Sequence, residues 1–152
     1  MKKHLLIVLL LLPFVCNAQS YVQFGPGFYP MSAWGAEMVG DFQVAHFTPE
    51  FSLGVGAMTF VNTYISDEEP NSGKRVTSAY LAPQIGLHYS FTSIFDCYLR
   101  GGAGLAAVKG NKITSRFLYN GVLGVGLSIW PHIGLYAEAG LPFSSLGLRF
   151  SL

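Results

Sequence analysis

Between Ser78 and Phe91 the chain alternates without a break. Ala79, Leu81, Pro83, Ile85, Leu87, Tyr89 and Phe91 share one parity; Ser78, Tyr80, Ala82, Gln84, Gly86, His88 and Ser90 share the other. Successive side chains of an extended segment point to opposite faces, so this stretch reads as a strand with one apolar face and one polar or tiny face. Its length exceeds the roughly 9–11 residues that a tilted strand needs to cross a bilayer.

The same pattern recurs along the chain and predicts eight strands: Tyr21 to Phe28, Ala33 to Phe47, Phe51 to Thr63, Val76 to Phe91, Cys97 to Val108, Phe117 to Trp130, His132 to Leu141 and Leu146 to Leu152. A helical reading fits best at Gly121 to Leu141, where Glu138 is the only charge. It fails because Trp130-Pro131-His132 interrupts the run and Gly121, Gly124, Gly126 and Gly134 each disfavour helix by about 1 kcal/mol relative to alanine.

Charged residues within the strands decide which face meets which medium. Glu37 and Asp41, then Arg100, Glu138 and Arg149, all fall on the parity opposite the apolar side chains. That polar face is rich in glycine and carries few charges. With only 11% charged residues against 51% hydrophobic, the chain cannot clothe a soluble exterior. The expected fold is therefore all-β, an eight-stranded antiparallel transmembrane β-barrel with the apolar face toward lipid and the polar face in a narrow interior. Closure also satisfies every strand's backbone groups where water is absent.

The first residues stand apart from this pattern. Lys2 and Lys3 precede an apolar run from Leu5 to Val15, and Cys16-Asn17-Ala18 ends it with small residues, as in a cleaved secretory signal peptide. The domain boundaries follow as residues 1–18, signal peptide, and 19–152, barrel. The remaining 134 residues hold seven basic and eight acidic groups, so no basic surface for nucleic acid is present. Cys97 is the one cysteine left, which precludes an internal disulfide in the exported chain.

Counting strands outward from a periplasmic N-terminus places Tyr29 to Ser32, loop 64–75, loop 109–116 and Pro142 to Ser145 outside the cell. Thr48 to Glu50, Thr92 to Asp96 and a tight turn at Trp130-Pro131 lie inside. Asp67, Glu68, Glu69, Lys74 and Arg75 charge one outer loop and Lys109, Lys112 and Arg116 another. Trp34, Tyr64, Phe117 and Tyr119 at one level, with Phe47, Phe51, Tyr89, Phe91 and Trp130 at the other, form two candidate interfacial girdles.

The chain resembles the small outer-membrane β-barrel proteins of Gram-negative bacteria, in the group termed outer membrane protein β-barrel domain. The resemblance rests on the leader followed by Gln19, the phrase from Tyr80 to Phe91, Arg100-Gly-Gly-Ala-Gly-Leu105, and the alternating last strand ending Leu148-Arg-Phe-Ser-Leu152. It implies an outer-membrane location, outer-membrane lipid and lipopolysaccharide as surroundings, and insertion by the barrel assembly machinery through the C-terminal strand. Barrels of this kind commonly end on an aromatic residue, whereas here Phe150 stands two positions before Leu152. The motifs are architectural and specify no chemistry.

The candidate site is the interior polar network of Glu37, Asp41, Tyr80, Gln84, His88, Arg100, Glu138 and Arg149. Hairpin adjacency suggests an ion pair between Glu138 and Arg149 with Glu37 near it, and Arg100 beside His88. The function expected is non-enzymatic, structural or surface-interactive. One alternative is a narrow passive pore lined by Gly54, Gly56, Gly102, Gly104, Gly124 and Gly126. A second is a hydrolase resembling the lipid A deacylases, with His88 as base and Ser90 as nucleophile, although no carboxylate follows on the next strand. His46, His88 and His132 lack metal-ligand spacing, Gly101 to Gly104 opens no helix, and no cofactor is implied.

Overall fold

The computed structural model describes residues 20–29, 33–65, 75–109 and 113–152. The leader reading and the tip of the acidic loop lie outside these residues. Eight strands run in order: β1 (Tyr21–Tyr29), β2 (Ala33–His46), β3 (Phe51–Ile65), β4 (Arg75–Ser90), β5 (Phe95–Lys109), β6 (Ile113–Trp130), β7 (Ile133–Leu141) and β8 (Ser144–Ser151). Each pairs antiparallel with the next, and β1 pairs with β8, closing the barrel. The expected all-β, eight-stranded antiparallel transmembrane barrel is the fold observed.

Parity survives folding. From Ala79 to Tyr89 every second side chain is exposed, and from Tyr80 to His88 every intervening one is buried. The exterior carries Leu81, Ile85, Leu99, Leu105, Leu123 and Leu135, a continuous apolar skin suited to hydrocarbon rather than water. Two bulges, at Gln43/Ala45 and Ser128/Trp130, bend strands near the end that carries the short turns.

Aromatic residues bracket that skin. Phe47, Phe91 and Trp130 are exposed at the turn end, and Trp34, Phe117 and Tyr119 at the loop end. The eleven residue-to-residue steps from Tyr119 to Trp130, at about 3.3 Å each and a tilt near 40°, span roughly 28 Å, close to a bilayer's hydrocarbon thickness.

The loop end is uneven. The strands on one side are longer than the sequence suggested: β3 and β4 run to Ile65 and from Arg75, and β5 and β6 run to Lys109 and from Ile113. The expected loop 109–116 is thereby corrected to a three-residue connection, with Arg116 inside a strand. β-branched Ile113 and Thr114 and aromatic Phe117 favour extended chain, and the unbroken ladder from Lys109↔Ile113 to Phe95↔Leu127 extends β5 with them. On the other side β7 stops at Leu141, because Pro142 has no N–H to continue the ladder and Phe143 turns into the barrel.

Candidate functional site: the filled interior and the raised rim

The interior is built in two storeys. Toward the loop end, Val39, Met58, Phe60, Tyr80, Ala82, Ala106 and Phe143 form an apolar cluster. Phe143 reaches in from the β7–β8 connection, its ring 4.2 Å from Phe60 and 5.1 Å from Tyr80 between centroids. Met58 accepts from Gln84 Nε2 and Asn120 Nδ2, both at 3.3 Å, and the Tyr80 hydroxyl bonds Asn120 Oδ1 at 3.3 Å. Tyr80 and Gln84 thus belong to this upper layer rather than to the charged one.

Below it lie the ions. Arg100, 1% exposed, donates through Nη2 to Glu138 Oε1, and the Tyr98 hydroxyl donates to the same oxygen at 2.8 Å. Gln23 Nε2 donates to the Tyr98 hydroxyl at 2.9 Å, and the Arg100 guanidinium lies over the Tyr98 ring at 5.1 Å. Arg149 grips Asp96 with both terminal nitrogens, one bond at 2.9 Å, and lies 4.0 Å from the centre of the Tyr21 ring. His88 Nε2 is 3.3 Å from Asp41 Oδ2, which also accepts from the Tyr21 hydroxyl at 3.3 Å. Glu37 stands apart from this lower group: it lies one inward position nearer the loop end than Val39 on β2, opposite Phe60, and accepts from the Ser145 hydroxyl at 2.9 Å.

The structure therefore corrects the Glu138–Arg149 pairing. In the β7–β8 ladder Glu138 stands opposite Ser145 and Arg149 opposite Gly134, so the two are four residues apart along β8. Their partners come from across the lumen instead. Arg100 and His88 both border Gly86, where a Cβ would lie 2.9 Å from Arg100 Cγ and from His88 Nε2.

The interior glycines do not line an open conduit. Three make space for a large neighbour: a side chain at Gly124 would meet the Tyr98 ring, one at Gly126 the Arg149 guanidinium, and one at Gly54 the Asp41 carboxylate; at Gly56, Gly102 and Gly104 it would meet a backbone oxygen of the neighbouring strand. Small residues opposite large ones fill an eight-stranded barrel whose interior has width for side chains only.

Sequence reasoning missed Asp96, Tyr98, Tyr21, Gln23 and Ser145 as members of the network. Their inward parity beside Arg100, Glu37 and Arg149 was the available signal. The expected turn Thr92 to Asp96 is corrected at its end, since β5 begins at Phe95 and Asp96 pairs with Ser90 and Gly126 inside the ladder.

The rim carries a second feature. Ser128 N donates to Ile94 O at 2.8 Å, and the β5–β6 register runs without a shift from there to Ile113. Even-numbered residues of β6 therefore face β5, and Ile113, Ser115, Phe117 and Tyr119 turn their backbone groups the other way. β7 pairs with β6 only from Gly121 onward, so among the described residues this stretch of edge has no partner strand. By the same rise and tilt, Ile113 stands about 15 Å beyond Tyr119.

A closed barrel with an apolar exterior, aromatic girdles and a filled, ion-paired interior defines the small transmembrane barrels. No protein-family model and no curated protein matches the chain. Solved structures do. The crystal structure of Neisserial surface protein A superposes with a TM-score of 0.53 at 10% identity, covering 89% of this chain and 96% of that one. Ail, the attachment invasion locus protein of Yersinia pestis, gives 0.52 at 12%, covering 89% and 95%. A de novo designed transmembrane β-barrel gives 0.54 at 17%, covering 90% and 98%. At these identities the likeness is one of fold, and that fold is the one the sequence resemblance implied.

Proposed function

We propose that this is a non-enzymatic barrel of a Gram-negative outer membrane, exported by its leader, whose role is surface interaction through the raised wall of β3 to β6. The carrying observation is the β6 edge from Ile113 to Tyr119, which has no partner strand among the described residues and rises from the girdle at Phe117 and Tyr119. Proteins ordinarily cover or blunt such edges. This one has no proline and a single charge, Arg116, and exposes Ile113, Phe117 and Tyr119. Strand addition to an edge supplies affinity through main-chain hydrogen bonds, with side-chain contacts on either face supplying selectivity. The orientation that puts this wall outside the cell has the N-terminus and short turns in the periplasm. The last strand, with Phe150 stacked on Phe24 at 5.6 Å, is the segment offered to the assembly machinery.

The test is retention of cells displaying the protein on surfaces coated with heparin or with serum proteins. Display raises retention on at least one surface, and Ser115→Pro, which deletes an edge N–H while leaving the β5 ladder intact, lowers it. Equal retention with and without the protein overturns the reading.

Two rivals meet specific obstacles. A pore requires a path through the Phe143 cluster and the ion pairs beneath it. A lipid A hydrolase gains a carboxylate, since Asp41 from β2 sits beside His88. However, His88 is buried inside the barrel between the Tyr21 and Tyr98 rings, at 5.8 and 5.5 Å, away from lipid. Mass spectrometry of lipid A from cells with the protein and with His88→Ala decides this: a His88-dependent loss of an acyl chain makes it an enzyme.

A further inference from the structure

The free edge of β6 offers a fixed pattern of groups. Ile113, Ser115 and Phe117 direct their N–H and C=O groups away from β5, and β7 takes up pairing only at Gly121, so among the described residues these groups have no strand opposite. The side chains of the same three residues lie on the outer face beside Lys109, Ala107 and Leu105 of β5, and Ile113, Phe117 and Leu105 are all exposed. Thr114, Arg116 and Leu118 alternate with them on the inner face. Arg116 is exposed, stands opposite Ala106, and has no hydrogen bond or ion pair among the described residues.

Charge and geometry narrow what can pair there. Beyond the girdle, every charged residue among the described residues of β3 to β6 is basic: Arg75, Lys109 and Arg116. The acidic run from Asp67 to Glu69 joins β3 to β4, and β5 stands between those strands and the edge. Lys109 shares the outer parity of Leu105 while Arg116 is on the inner one, so the sheet separates them and they cannot close together on one sulfated glycan chain. A second copy in the same membrane fits the edge poorly. A twofold axis along the membrane normal would cross two β6 strands, each tilted near 40°, at about 80°, whereas neighbours in a sheet differ by about 20–25°. It would also turn Arg116 toward its own copy.

Given that the raised wall is an interaction surface, we propose that its β6 edge takes one extended polypeptide segment of another protein, added antiparallel as a fifth strand, with apolar residues opposite Ile113 and Phe117 and a carboxylate opposite Arg116. Antiparallel pairing is slightly more stable per residue than parallel, and the outward groups of Ile113, Ser115 and Phe117 make these the hydrogen-bonded positions. Arg116 then falls at a non-hydrogen-bonded position, where facing Cα atoms approach to about 4.5 Å and side chains meet most closely. A glutamate there meets a guanidinium that nothing else neutralises, and a lysine meets a like charge. The segment's other face packs on Ile113 and Phe117, so the partner alternates apolar and polar residues as the wall itself does.

The experiment measures fluorescence anisotropy of a labelled, end-capped peptide, Thr-Val-Glu-Val-Thr-Ile, on the full barrel in micelles at low salt, with empty micelles as the baseline. Its glutamate falls opposite Arg116 when its isoleucine faces Ile113. Two further peptides carry lysine in place of glutamate, or N-methyl groups on both valines and the isoleucine, whose N–H groups would face the edge. The glutamate peptide is expected to bind about three- to tenfold more tightly than the lysine peptide, Arg116→Glu reverses that order, and the N-methylated peptide does not bind. Equal binding of the two charged peptides, or an order that survives Arg116→Glu, overturns the carboxylate assignment, and binding indifferent to N-methylation overturns strand addition. Retention of displaying cells on heparin with no peptide bound up to millimolar concentration overturns the polypeptide partner and means a glycan ligand, with the wall still a binding surface. Retention on no surface is instead the failure of the interaction reading itself.

Discussion

Replacing Arg100 by methionine isolates what the buried ion pair contributes. Methionine fills much of the same volume and can still lie against the Tyr98 ring. Glu138 would keep the Tyr98 hydroxyl at 2.8 Å but lose its guanidinium, while remaining near Glu37. Stranding one member of a buried pair costs about 3–5 kcal/mol, whereas replacing both members by apolar groups is near neutral. The Arg100→Met/Glu138→Leu double variant should therefore recover most of the loss, giving a coupling energy of at least about 2 kcal/mol. Equilibrium urea unfolding in micelles, followed by fluorescence of Trp34 and Trp130, measures the unsubstituted protein, Arg100→Met, Glu138→Leu and the double variant. If the single and double variants lose stability additively, the pair is not the interaction described.

Gly124→Val should destabilise by about 1–3 kcal/mol through displacement of the Tyr98 ring, and Tyr98→Ala in the same chain should suppress the added cost, as read from urea midpoints. Leu123→Arg, near the middle of the outer face, should cost about 2–4 kcal/mol in lipid vesicles, a penalty absent if that face met water. Phe143→Ala should lose about 3 kcal/mol yet show no steady conductance in planar bilayers, because the ion pairs below still block the lumen; a stable channel would overturn the account of the filled interior.

Alternation made the fold legible, since burial on one parity and exposure on the other is a local property that any stretch such as Ala79 to Tyr89 displays by itself. The same rule identified Glu37, Asp41, Arg100, Glu138 and Arg149 as inward residues. Their partners were not legible, because side chains that meet across a lumen come from strands that are not neighbours, as Arg100 on β5 and Glu138 on β7 do, and the stagger of a closed sheet decides their heights. Phe143 was invisible for another reason: a loop residue has no parity, and only the inward turn after Pro142 makes it part of the core.

The ion pairs also bear on how the chain assembles. Arg100 and Glu138 are 38 residues apart and Arg149 and Asp96 are 53 apart, and Asp41 and His88 likewise sit on strands that are not adjacent. No hairpin of neighbouring strands holds both members of one of these pairs, so a hairpin entering lipid alone would carry inward charges without the partners they have in the closed barrel. Each such charge carries a penalty of several kcal/mol until the opposite wall arrives. Stepwise, strand-by-strand insertion is thereby disfavoured, and the chain must cross as a nearly closed cylinder, with these long-separation contacts setting a slow, concerted final step.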